Sequence, residues 1–483
     1  MKEKATGRIA RNFSSLVFGD LVSRGLNFFA LIYLARVLGA AAFGLLNYAQ
    51  AFQAYLILLV DSGLSLFGTR EIARQREQAA VISLNIFAIR LVIAAVVFAG
   101  AVAVLFLLPM APEMRWLFIG SFLFLFARAL NADWVFQGLE RMDLIAVGKI
   151  ATSLLLFGLI IFLVHSSREL VVVPFITAGV GSAVALVLIV LLFRRFTRTS
   201  QPRLSLATWW DYLLEALPLG ASAIMIQIYY NLDTIMLGLM DKPEVVGYYN
   251  AAYKLFFIVL GFLMLWQSAA FPLVSHRFAN DRAAVKRFLE KYARLSLLAF
   301  LPLTTLFCLL APQLVKLFYG AAYAPAIVPL QILIWNVVAI IYSGMFGTLV
   351  MVPMGRGKEF LLGVAAGAFA NLVLNLILIP PLSMIGASWA TLLTELLVGG
   401  IMIYFTYRQI YIDVLNRCWV PVVATAGGLA AFLLVTAFWP ALPGVILAAA
   451  AFGVVYALEL FAFGEVPFLA GFVTELIGEK HAS

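Results

Sequence analysis

Fourteen long runs of apolar residues, separated by short polar loops, constrain this chain more than any other feature. They centre near Phe28, Leu56, Val96, Phe124, Leu156, Val184, Ile228, Leu260, Phe300, Val338, Leu372, Leu396, Leu429 and Ala450. A bilayer core of roughly 30 Å takes about 20 apolar residues per helix. Inside it every backbone N–H and C=O must find its partner within the protein, which leaves helices or closed barrels. The alternating apolar and polar residues of barrel strands are absent. With 64% of 483 residues hydrophobic and 12% charged, no soluble exterior can be assembled. The expected fold class is an all-α polytopic membrane protein. The charged opening MKEKATGRIARN leads into a run that reads as a retained first helix, since no cleavage site of small residues follows.

Charge placement sets an expected orientation. Of 33 Lys and Arg residues, 24 fall at the termini and loops of one side and five on the other. The remaining four, Arg24, Arg90, Arg128 and Lys254, lie within spans. Basic loops stay in the cytoplasm, so both termini are expected there, as an even number of spans requires. The net charge of +9 is then a topology signal spread over many short segments, which excludes nucleic acid as a partner.

The loops also limit the chemistry. The longest polar segments, around Arg194–Asp211 and His276–Arg294, are about twenty residues. Outer loops such as PMAPEMR and HSSREL are shorter still. A membrane-embedded polymerase or ligase needs a large catalytic loop with several acids, and none is present. Nor is there a glycine-rich phosphate loop ending in Lys-Ser/Thr. No enzyme activity is expected. Cys308 and Cys418 are far apart and give no disulfide framework.

An internal repeat organises the rest. GLLNYAQAF (Gly44–Phe52) opens the second span and GYYNAAYKL (Gly247–Leu255) opens the eighth. Each reads G-x-x-N-x-A, and each follows a helix ending in Leu-Gly, at Gly39 and Gly238. The copies are six spans apart, so the repeat is parallel. That implies two six-helix lobes, a transporter architecture. The expected division is an N-terminal lobe over 1–199, a cytoplasmic linker with an interfacial helix over 200–215, a C-terminal lobe over 216–410, and two extra helices with a tail over 411–483. Trp209, Trp210 and Tyr212 of TWWDYLLEA suit headgroup depth.

Charges inside spans cost about 2.5–3.5 kcal/mol each and normally face a bundle interior or wet cavity. Arg24 and Asp20 are one turn apart and can pair on one helix face. Arg24, Arg128 and Lys254 form a set suited to a ligand with two or more negative charges, such as a diphosphate, because guanidinium groups hold phosphate oxygens bidentately. Arg90 is a fourth candidate. The competing reading is an ion-pair lattice that holds helices together, with Asp20 and Asp133 as the acids. Arg90 and Asp61 sit near span ends, where snorkelling to the interface is a further reading.

Several strings carry a family resemblance. FGLLNYAQAF with DSGL and TREIAR, and FQGLERMDLIAVGKI (Phe136–Ile150), are similar to the N-terminal half of Wzx-type polysaccharide flippases. LPLGASAIMIQIYYNLDTIMLG with VGYYNAAYKL resembles the start of their second lobe. YGAAYAPAIVPLQILIW and NLVLNLILIPPLSMIGASWATLLTE resemble the later half, so that the likeness spans residues 8–408. On it, the chain is identified as a member of the Wzx-type flippases of the multidrug/oligosaccharidyl-lipid/polysaccharide exporter superfamily. The resemblance implies two six-helix lobes and two C-terminal helices around a central cavity. It implies movement of a polyprenyl-diphosphate-linked oligosaccharide from the cytoplasmic to the outer leaflet of a prokaryotic cytoplasmic membrane, for O-antigen, exopolysaccharide or capsule. Work beside a polysaccharide polymerase complex is compatible with it.

The resemblance also implies a sodium site in the second lobe, formed by Asp233, Asn371, Asn375 and Thr391 or Thr394. Asn375 stands where some relatives carry a second acid. A proton on Asp233, or a purely structural hydrogen-bonded Asp233, are the other readings. No other cofactor or metal is expected. Transport is expected to run by alternating access, with a cation or proton gradient as the drive. One charge crossing 100 mV supplies about 2.3 kcal/mol. A drug exporter of the same superfamily, which favours an acidic cavity, and a membrane polymerase or ligase are the alternatives.

Overall fold

A computed structural model describes residues 2–195, 203–278, 282–413, 417–465 and 467–468, with side chains beginning at Leu16. The described residues form helices and turns with no strand. Eleven helical stretches are long and apolar enough to cross a membrane. Two of these, α1 (Lys2–Asp61) and α14 (Gly357–Tyr407), are each broken midway. The breaks are Gly39 (φ 73°, ψ 170°) and Ser383 (φ 54°, ψ −134°), so each stretch supplies two passes. Helix α8 (Leu206–Met240), 35 residues long, supplies the fourteenth. The count matches the apolar runs.

The chain folds as two compact units. The first is Met1–Asn250 with Phe318–Ala322, and the second is Ala251–Leu317 with Tyr323–Ser483.

In the first unit, α1 packs against α4 (Pro112–Leu130), α6 (Met142–Leu163) and α8, while α4 packs on α7 (Val172–Arg195). Its core gathers Leu34, Leu46, Phe118, Phe122 and Leu125, with Tyr48, Phe52 and Phe118 in edge-to-face contact. Large apolar side chains on the outside, such as Leu107 and Phe162, remain exposed, as a lipid-facing surface requires.

The two copies of the repeat meet in this unit. A Cβ on Gly44 would fall 1.8 Å from the Pro243 carbonyl oxygen, and one on Gly247 would fall 2.1 Å from that of Ala40. Only glycine lets the two backbones approach so closely. Asn47 donates to the Phe43 carbonyl (2.7 Å) and Asn250 to the Val246 carbonyl (2.9 Å), so the repeated asparagine does the same local work in both copies. The copies differ just before. Gly39 bends the chain with positive φ, whereas Gly238 stays helical under the Tyr48 ring and α8 ends two residues later.

The interfacial helix expected in the linker is not a separate element. Thr208–Ala216 is the start of α8, which runs on through Pro218 into the seventh pass. The first residues of the expected linker, 200–202, lie outside the described set. Trp210 is exposed, but Trp209 turns inward and donates its indole N–H to Asn85 of α3 (Ala79–Leu107) at 3.0 Å. Asn85 also accepts from Ser205 N (2.9 Å) and donates to the carbonyls of Val81 and Arg203 (2.8 Å each). One buried amide thus fastens the start of α8.

In the second unit, α10 (Arg282–Leu309) packs on α13 (Asn336–Gly344) and α15 (Trp419–Phe438), and α15 pairs with α16 (Leu442–Ala462). Phe288, Leu289, Phe346, Leu349, Val420 and Leu460 share one core. Past α16, Glu465 is fully buried and forms an ion pair with Arg294 of α10, and the Phe468 ring lies 4.2 Å from that guanidinium.

Candidate functional site

The intramembrane charges of the first unit form two clusters of the same kind. In one, Asp20 on α1 takes Arg24 Nε at 2.5 Å through the expected one-turn spacing. Its other oxygen takes Lys149 Nζ of α6 at 2.9 Å. In the other, Asp61 at the end of α1 faces Arg128 of α4 at 3.3 Å and Arg90 of α3 at 3.6 Å. Its Oδ1 also accepts from the Ser65 hydroxyl at 2.7 Å. Each acid therefore serves two cations. The Asp20 cluster keeps one positive charge beyond neutrality, whereas Asp133 also lies close enough to act on Arg90 and brings the second cluster into balance.

The clusters differ in exposure. Arg24 is 71% exposed and Arg128 36%, whereas Arg90 is 0% exposed. Arg90 donates to the Arg128 carbonyl (2.6 Å), which also accepts from Asn131 N (3.2 Å), and to the Asn131 carbonyl (3.4 Å), all at the end of α4. It is a buried helix cap and does not snorkel, a correction to that reading. Arg128 pairs with Asp61 and not with the nearer acid in sequence, Asp133. The chain extends at Asn131, and Asp133 begins a new short helix, α5 (Asp133–Gly138), so Arg128 and Asp133 do not share a helix face.

Asp233 of α8 is 2% exposed and accepts from the Tyr249 hydroxyl at 2.7 Å. Thr234 beside it donates to the Asn250 amide oxygen at 3.4 Å. The remaining ion candidates belong to the second unit, all on α14. Asn371 and Asn375 are fully buried, and Asn375 donates to Asn371 at 3.1 Å. Thr391 bonds back to the Ala387 carbonyl (3.0 Å). Thr394 is fully buried, and its hydroxyl has no partner among the described residues. Glu395, one turn past Thr391, accepts from Ser343 at 3.2 Å. Lys254 on α9 (Pro243–Phe278) is half-buried, with no ion pair among the described residues.

Lys149 and Asn85 are the working residues that sequence reasoning missed. Lys149 sits near the start of a span, where its sequence position counts it with the basic loop residues. An Asp20 that needs a second partner was the available signal.

Residues 9–278, more than half the chain, match the family model described as polysaccharide biosynthesis protein. The chain belongs to the polysaccharide biosynthesis protein family. A relative in Escherichia coli (strain K12), named "Putative O-antigen transporter", is 26% identical over 387 residues, covering 77% of this chain and 90% of the relative. Among solved structures, the lipid II flippase MurJ in an inward closed conformation superposes with a TM-score of 0.74 at 13% identity, over 93% of this chain and 98% of MurJ. An inward-facing multidrug resistance transporter of the MATE family follows at a TM-score of 0.66 and 14% identity, over 81% and 95% of the two chains. This family member therefore shares the two-lobed fold of those transporters. The expected likeness to Wzx-type flippases holds at the level of family and fold. The proteins it resembles are transporters and not enzymes.

Proposed function

We propose that this protein translocates a polyprenyl-diphosphate-linked oligosaccharide from the cytoplasmic to the outer leaflet, for assembly of a surface polysaccharide. The observation that carries the reading is the surplus positive charge of the Asp20 cluster, where one acid is shared between Lys149 and an outward-facing Arg24, with a second partly exposed arginine, Arg128, at Asp61. A neutral lattice would match acids to cations and leave no reason for Arg24 to project outward. A diphosphate headgroup supplies the missing negative charge. Arg24 and Arg128 are the proposed phosphate contacts, and Arg90 positions Asp61 and the end of α4. Lys254 is proposed for the same ligand on its own surroundings alone, a half-buried amine without an acidic neighbour among the described residues. The relative's name, an O-antigen transporter, supports the substrate class.

The lobes proposed are 1–199 and 216–410, joined through 200–215 and followed by the helices and tail of 411–483. Both termini are cytoplasmic on the strength of the basic loops. Asp233 is proposed as the seat of a coupling sodium ion or proton, since a carboxylate 2% exposed has few reasons to stay inside a span. Asn371, Asn375, Thr391 and Thr394 are proposed to respond to the same gradient from the second unit.

The test is export in a host lacking its own flippase, with membrane abundance measured in parallel. Arg24→Ala, Arg128→Ala and Lys254→Ala should each insert normally and lose surface glycan. Full complementation by all three refutes the diphosphate site. In vesicles, Asp233→Asn should abolish the response of transport to sodium or to a pH gradient. A wild-type rate indifferent to both removes the coupling role.

A further inference from the structure

We infer that α14 carries a binding groove for an anionic phospholipid, independent of the transport reading above. Between the two halves of α14 lies an open groove of about 550 Å³, lined by Leu362, Ala366, Leu396, Gly400, Tyr404 and Phe405 among others. The tyrosine hydroxyl is the one polar side-chain group in that lining. The groove runs from the middle of each half of α14 to the end where both halves meet the basic loops. From Leu396 to Phe405 the helix rises about 14 Å, close to one leaflet of a hydrocarbon core of roughly 30 Å. A phospholipid acyl chain is matched to that depth. A polyprenyl chain would overrun it.

The mouth of the groove selects the headgroup. Arg408 stands one residue past α14 with its guanidinium 4.9 Å from the Tyr404 ring. Arg356 donates to the carbonyl of Phe405, a lining residue, at 3.2 Å. Lys358 is exposed two residues on. Against these three cations stands Glu359, which is 3.4 Å from Arg356. No acid pairs with Arg408 or Lys358 among the described residues. Tyr404, Tyr407 and Tyr411 are all more than half exposed at this end, where aromatic rings suit headgroup depth. Apolar depth, a basic rim and an aromatic collar together fit a lipid with one negative charge at the glycerol phosphate.

Gly400 makes the groove testable without disturbing the fold. A Cβ there meets no atom within 4 Å, so a larger side chain extends into open space. The full-length protein is equilibrated with mixed phosphatidylglycerol and phosphatidylcholine vesicles, extracted, and its retained lipids are counted by native mass spectrometry. Wild type should retain phosphatidylglycerol in preference to phosphatidylcholine. Arg408→Gln and Lys358→Gln should each lower that preference about fivefold, the factor one basic side chain contributes beside an anionic lipid. Gly400→Leu should lose one retained lipid at unchanged thermal stability, and Ala366→Leu should do the same. Equal retention of the two lipids in wild type overturns the inference. So does a lipid count unchanged by both filling substitutions, or displacement of phosphatidylglycerol from wild type by polyprenyl phosphate at equal concentration.

Discussion

Removing the charge of Asp61 should damage this protein far more than removing that of Asp20, although each acid serves two cations. Asp61→Asn keeps an oxygen to accept from Ser65 (2.7 Å), so the substitution isolates the charge. What remains is Arg90, fully buried, beside a second guanidinium that also lies against Asp61. Breaking a buried pair by neutralising one partner costs about 3–5 kcal/mol. Arg90 keeps its hydrogen bonds to the Arg128 and Asn131 carbonyls, which places the expected loss near the lower bound, about 3 kcal/mol. Asp20→Asn strands Arg24, which is 71% exposed and can be solvated, so about 0.2–1 kcal/mol is expected. The ratio of folded to unfolded protein should differ between the two variants by about 30-fold or more. Apparent melting temperatures of the purified proteins in detergent, read by size-exclusion of the soluble fraction, give the comparison. Unfolding there is irreversible, so both are heated at one rate. Equal shifts, or a shift for Asp61→Asn within error of wild type, would refute the reasoning.

Three further outcomes follow from other contacts. Gly44→Ala forces a methyl onto the Pro243 carbonyl and should reduce folded yield severely, whereas Gly25→Ala has open space and should gain up to about 1 kcal/mol of helix propensity, both read as melting temperature. Asn85→Ala orphans the Trp209 indole and the Ser205 amide at a cost of about 3 kcal/mol, and should speed tryptic cleavage after Arg203. In the loop between α6 and α7, hydrogen bonds from the Ser166 hydroxyl and amide hold the Glu169 carboxyl below its usual range. A depressed folded value means the cap is intact above the ordinary glutamate range and is lost as pH falls through the lowered value. The protection factor of the Ser166 amide, taken against the intrinsic exchange rate at each pH, should therefore fall on acidification, and Glu169→Asp, a side chain one methylene shorter, should lower it at neutral pH.

The helices were legible because a span is a local property. Any run of about 20 apolar residues must form one whatever it packs against. The Asp20–Arg24 pair was legible for the same reason, since i and i+4 share a face before any tertiary contact exists. Asp61 with Arg128 was not, because 67 residues separate them and no local period links them. Proximity in sequence pointed instead to Asp133, and a helix break at Asn131 defeated it. The repeat announced two glycines at matching helix starts, yet nothing in it said that they would touch. That contact is a tertiary fact which the small residues permit and do not announce. Asn85 was invisible altogether, one asparagine among many, and its importance comes entirely from where Ser205 and Trp209 arrive.

The pairing of Arg294 with Glu465 bears on how the protein is made. The two residues are 171 positions apart, and the glutamate comes after the last span. At roughly 5–20 residues per second, the ribosome delivers the partner about 9–34 s after the arginine has emerged. Throughout that interval α10 holds a cation destined for burial, with neither its counter-charge nor the Phe468 ring yet synthesised. The second unit thus reaches its final packing only once Glu465 has been synthesised, and a nascent chain stalled short of it offers quality-control proteases an unfinished α10.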